Sequence, residues 1–162
     1  MSLVAEDLEI EKRKNNLIFF GIKEIGSLSD KDVICEILSE GLKLDGSRHV
    51  EEVFRVGRFS AEKIRPIRVK VSGVDSKKEI LQRAKSLRSG MFDKVFIAPD
   101  LIKKQQVVDK DLREHVKTFR DEFKDQTEQE VKIRIKGGKV IKNESGKQDV
   151  VLYDPRKLVK KD

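Results

Sequence analysis

Along residues 15–98 the apolar residues change period in a set order, from two to about 3.6 and back, and that order restricts the fold more than any single residue does. In NNLIFFGI, residues 15–22, Leu17, Phe19 and Gly21 fall on one side and Ile18 and Phe20 on the other. Both sides are apolar, which predicts a central strand. Ser29, with Asp32 three residues on, caps a helix in which Val33, Ile34, Ile37, Leu38, Gly41 and Leu42 recur at helical spacing. VEEVFRV at 50–56 and RPIRVKV at 65–71 predict two further strands, with Pro66 admissible near the start of the second. Asp75 is the expected N-cap of SKKEILQRAKSLRS, whose stripe is Ile80, Leu81, Ala84 and Leu87 and whose stop is Gly90. KVFIA at 94–98, closed by Pro99, is the last strand of the series.

Strand, helix, strand, strand, helix, strand is the split βαβ, ferredoxin-like order: an α+β sandwich of four antiparallel strands with two helices on one face. Ile67, Val69 and Val71 then face the helices, and Arg68 and Lys70 project from the other face beside Ile18 and Phe20. After residue 100, Val108, Leu112, Val116, Phe119 and Phe123 mark a long amphipathic helix, and VKIRIKGGKVIK alternates around Gly137-Gly138 as a hairpin. The expected organisation is a helical or coiled-coil stub at 1–14, the β-α-β-β-α-β domain at 15–99, a helix and hairpin at 100–143, and a basic, weakly ordered tail at 144–162 with VVLY as an edge strand.

Thirty-six Lys and Arg against 29 Asp and Glu leave +7, a balance that favours a polyanionic partner. The excess is local: residues 55–70 hold Arg55, Arg58, Lys63, Arg65, Arg68 and Lys70 against the single acid Glu62. Lys132, Arg134, Lys136 and Lys139 on the hairpin either extend that track or blunt a sheet edge. One cysteine, Cys35, and two histidines, His49 and His115, supply neither a disulfide nor an ordinary zinc shell, so no cofactor or metal is expected. No apolar run reaches the roughly 18 residues of a membrane span and the first residues lack a signal-peptide core. The expected setting is intracellular, in the cytoplasm or also the nucleus.

KRKNNLIFFGIKE, VFRVGR, RPIRVKV, ILQRAKSLR and VFIAPDL followed by KKQQ resemble, in that order, the RNA-recognition-motif region of first-open-reading-frame proteins from LINE-type retrotransposons. The C-terminal domain of the baculovirus few-polyhedra protein looks similar. The resemblance implies an RRM-like fold, single-stranded RNA binding with DNA as a lesser ligand, packaging or chaperoning of element RNA, and trimerisation through an upstream coiled coil. It also implies functional basic positions at Arg55, Arg58 and Lys70. The sequence departs from ordinary RNA-recognition motifs, whose two central strands carry base-stacking aromatics. Ile18 stands at one stacking position and Arg68 and Lys70 at others, leaving Phe20 as the expected aromatic platform. Cations in those places favour sequence-tolerant contacts to phosphates, with Arg65, Lys132 and Arg134 as further contributors.

Two other functions compete. Pro99-Asp100 with Glu130-Val131-Lys132 spells the parts of a metal nuclease, but the intervening helix separates what such sites place on neighbouring strands, and Asp100 is better read as a helix cap. A protein-interaction module on the same fold is the stronger rival, because fold does not decide function. No catalytic residue is expected.

Overall fold

The computed structural model describes residues 3–124 and 131–160, with side chains up to residue 157, as an α+β protein in two compact units, residues 1–101 and 102–162. The first contains α1 (Leu3–Arg13), β1 (Asn16–Phe20), α2 (Asp30–Glu36), α3 (Gly46–His49), β2 (Val50–Arg55), β3 (Ile67–Val71), α4 (Val74–Arg83) and β4 (Phe96–Pro99). The strands form one antiparallel sheet in the order β2-β3-β1-β4. Leu17, Phe19, Ile67, Val69, Val71 and Ile97 leave one face of it and bury against Ile34, Ile37 and Leu38 of the α2 region and Ile80 and Leu87 of the α4 region. Strand alternation therefore sends the residues between them to the opposite face.

Ser29 caps α2 as expected, its Oγ accepting from the Asp32 N–H at 3.1 Å. The helix then widens into a π-turn over Ile37–Gly41. A Cβ at Gly41 would lie 2.6 Å from Leu87 Cδ2, so a larger residue there would push the end of that side chain aside. Asp75 does not cap α4: the N-cap lies two residues earlier, at Gly73, and Asp75 is within the first turn. Gly21, just after β1, has φ +85°, and a Cβ there would collide with the Lys94 carbonyl oxygen, so the segment leading into β4 passes over a bare backbone.

The second unit is α5 (Lys103–Glu122) against a sheet of β5 (Val131–Lys136), β6 (Lys139–Glu144) and β7 (Val150–Tyr153). Leu112 and Val116 bury with Ile133 and Val140, flanked by Phe119, Phe123, Leu152 and Tyr153, while Val108 stays 40 % exposed. Gly137 and Gly138 both adopt positive φ and turn the hairpin. VVLY, read from sequence as an edge strand in the basic tail, is β7 at the edge of this sheet, held by its ladder to β6 and by the Tyr153 hydroxyl, which donates to Asp111 at 2.5 Å. Two capping contacts join helix and sheet further: Arg120 donates to the Ile133 carbonyl at 3.0 Å, and His115 stacks on Tyr153 at 3.7 Å. No described helix is long and apolar enough to cross a membrane.

Carboxylates tie this second sheet together. Glu144 accepts from Lys142 at 2.8 Å and Lys147 at 2.9 Å, and these bonds hold its pKa down from the usual 4.5 to about 2. Asp149 is lowered as well, by hydrogen bonds from Asn143 and Lys136. A carboxylate whose folded pKa is depressed adds stability above its unfolded value and loses it as pH falls through the folded one. The second unit is therefore expected to weaken between pH 4.5 and about 2. Tyr153, the chain's only tyrosine, reports it: its fluorescence-detected urea midpoint should fall across that interval, and a flat midpoint would remove the carboxylates from the account.

Candidate nucleic-acid interface

The sheet face opposite α2 and α4 is ordered in rows by strand register. Phe54, Arg68, Ile18 and Ala98 pair successively across β2, β3, β1 and β4. One step along, Glu52, Lys70 and Asn16 form the next row, and in the other direction Phe20 pairs with Phe96. The rings are open to solvent: Phe20 is 40 % exposed, Phe54 45 % and Phe96 55 %. Phe20 and Phe96 lie 6.0 Å apart, tilted by 39°, as one aromatic surface. Phe54 sits about 12 Å from Phe20, two strand spacings across and two residues along, so it forms a separate aromatic surface. Exposed apolar rings grouped with cations are informative where a lone exposed residue is not.

Arg68 is held at the centre. Its Cζ lies 5.6 Å from the Phe54 ring centroid, and its Nε is 3.0 Å from Asp100 Oδ2. That approach is an ion pair off the line of a hydrogen bond, and Nε is buried without any other partner. Asp100 does not cap α5, whose N-cap is Ile102. Its side chain, 4 % exposed, instead accepts from Arg13 at 3.4 Å and Asn16 at 3.2 Å besides pairing with Arg68. Lys77, nearby on α4, has its pKa lowered by burial, against which Asp100 pulls. Lys70 is freer, 45 % exposed with Nζ 3.8 Å from Glu51.

Arg55 is not on this face. Its side chain is 6 % exposed; Nε and Nη2 bond Asp30 at 3.0 and 2.9 Å, and Nη1 donates to the carbonyls of Ile22 and Arg65. A bulge between Val50 and Glu52 shifts the alternation of β2, turning Arg55 inward and Phe54 outward. The guanidinium expected to meet a ligand thus closes the turn between β1 and α2. Arg65 is also engaged, donating to Glu24 and, at 3.0 Å, to the Gly57 carbonyl, with Phe59 at 5.7 Å. Arg58 remains exposed in the loop between β2 and β3.

The structure thus brings Ile18, Phe20, Arg68 and Lys70 together and sets Arg55 apart. Lys132 and Arg134 belong to the second unit, exposed on the side of β5 opposite Ile133. Phe54 and Phe96 escape the sequence reading, which names Phe20 alone. Phe96 alternates with buried Ile97 and was open to detection by parity; Phe54 was hidden by the bulge.

Of the nuclease spelling, Asp100 is consumed by its cation partners, Lys132 is exposed on β5, and Glu130 lies outside the described residues. Among the described residues no three His, Cys, Asp or Glu side chains group as metal ligands. His49 is buried with Nδ1 2.7 Å from Ser76 Oγ, and burial pushes the Cys35 thiol up, away from the reactive thiolate. No protein-family model and no curated protein sequence matches the chain.

Proposed function

We propose that this chain binds single-stranded RNA, and single-stranded DNA less selectively, across the β2-β3-β1-β4 face. The observation that carries the reading is one solvent-facing surface holding Phe20, Phe54 and Phe96 with Arg68 and Lys70 among them. Rings offer every base a stacking platform and cations hold the backbone, which is the chemistry of sequence-tolerant single-strand binding. The β-α-β-β-α-β order, with β1 and β3 central, supports an RRM-like reading of the sheet. The stacking residues differ from the usual arrangement, lying on β1, β2 and β4. The retrotransposon resemblance extends the proposal to packaging or chaperoning element RNA, and to self-association through a coiled coil, for which Leu3, Val4 and Leu8 of α1 stand exposed.

The test is fluorescence anisotropy with two unrelated single-stranded RNAs across a salt series. Similar affinities that fall with salt are expected. Lys70→Ala should reduce the log–log salt slope by about one, the loss of one phosphate contact, whereas Arg68→Ala should reduce it by less, because Asp100, shared with Arg13, offsets part of that charge. Absence of binding at low salt would favour a protein partner on the same exposed rings, and that partner's binding would be insensitive to salt.

A further inference from the structure

We infer that Arg68 reads a base, and that the single-stranded site prefers guanine at the position over it. The inference rests on the RNA reading above and refines its ligand. Three features of Arg68 set it apart from the other cations of the face. Its charge is offset in part by Asp100, a carboxylate of 4 % exposure that it shares with Arg13, so it is a weaker counter-ion for phosphate than the open Lys70. Its inner nitrogen, Nε, is sealed in that contact and out of solvent. Among the described residues its two outer nitrogens make no hydrogen bond, neither is sealed from solvent as Nε is, and the side chain is 27 % exposed.

Offsetting part of the charge does not remove the donors. What remains is a planar fork of N–H groups held from behind by Asp100 and over one side by the Phe54 ring. Its row neighbours are Phe54 and Ile18, surfaces that draw bases rather than phosphates. A fork of this kind matches two adjacent acceptors on one base, and guanine O6 and N7 are the pair that arginine bonds bidentately most often. Adenine places a donor beside N7, and uracil separates its two carbonyls by an N–H, so neither satisfies both donors at once; cytosine O2 and N3 are the other adjacent pair of acceptors, which the cytidine version tests.

Asp100 is then a positioning residue. It touches no base and fixes the angle at which Arg68 presents its fork. Arg13, at the end of α1, and Asn16 share the same carboxylate and hold it in turn.

The experiment measures binding of the full chain to an oligouridylate and to versions carrying one central guanosine, adenosine or cytidine. The guanosine version should bind about tenfold more tightly than the others, within the range a good bidentate pair supplies. Arg68→Lys keeps the charge and removes the fork, so it should retain oligouridylate binding and lose the guanosine advantage. Asp100→Asn should shrink that advantage too, with a urea midpoint measured alongside; if that variant does not fold, Arg68→Lys still decides. Equal affinity for all four wild-type complexes, a preference for a different base, or a guanosine advantage that survives Arg68→Lys overturns the inference while leaving single-strand binding intact. Failure to bind any of the four overturns the RNA reading and this inference together.

Discussion

Replacing Arg55 by alanine should cost about 3 kcal/mol of folding stability, the low end of the range for breaking a buried ion pair. The guanidinium makes a two-pronged contact with Asp30 and also satisfies the Ile22 and Arg65 carbonyls, so its removal orphans three acceptor groups at once. The cost stays near the low end because Asp30 is 29 % exposed and water can solvate the abandoned carboxylate. Against a typical total of about 5–15 kcal/mol this is a large fraction. Arg55→Lys should rescue little of it, since a point ammonium cannot bridge a carboxylate and two carbonyls in one plane. Urea unfolding followed by circular dichroism checks both variants. A change within about 0.5 kcal/mol, typical of a surface substitution, would return Arg55 to the list of free cations. The same experiment bears on function: folded Arg55→Ala should bind RNA almost as the wild type does.

The largest effect on binding is expected from the rings. Phe20→Ala, Phe54→Ala and Phe96→Ala combined should weaken single-stranded RNA binding about a hundredfold, from about 1–3 kcal/mol for each of two stacked bases. Folding should survive, because all three rings are on the face opposite the core and well exposed to solvent. Anisotropy at fixed salt gives the affinity, and an unchanged urea midpoint separates lost stacking from lost structure. The salt slope should stay as in the wild type, since no phosphate contact is removed. A triple variant that binds normally would leave the face to the cations alone and end the stacking model.

Arg55 and Phe54 also mark the limit of what periodicity can say. Where a strand was regular, alternation assigned its faces correctly: Leu17 and Phe19 are buried while Ile18 and Phe20 are not, and Ile67, Val69 and Val71 are buried while Arg68 and Lys70 are partly exposed. In β2 one bulge reversed the parity, exchanging the fates of two adjacent residues. Asp100 shows the other limit. As a residue before a helix it reads as a cap, a local role; its actual partners, Arg13, Asn16 and Arg68, lie far away in the chain. In the tail, VVLY is the edge strand that its sequence predicts, and the structure adds its partner, β6.

By itself the sequence determined the α+β class, the succession of strands and helices, the paired glycines of the hairpin and the sheet face on which Arg68 and Lys70 stand. These depend on period and on backbone conformations available to glycine, both of which are properties of neighbouring residues. Only the tertiary structure decided which cations are free. Arg55, Arg65, Arg68 and Lys70 carry the same formal charge, yet one is buried on Asp30, one held by Glu24, one clamped by Asp100 and one largely open, because an ion pair's partner is chosen by distance in space.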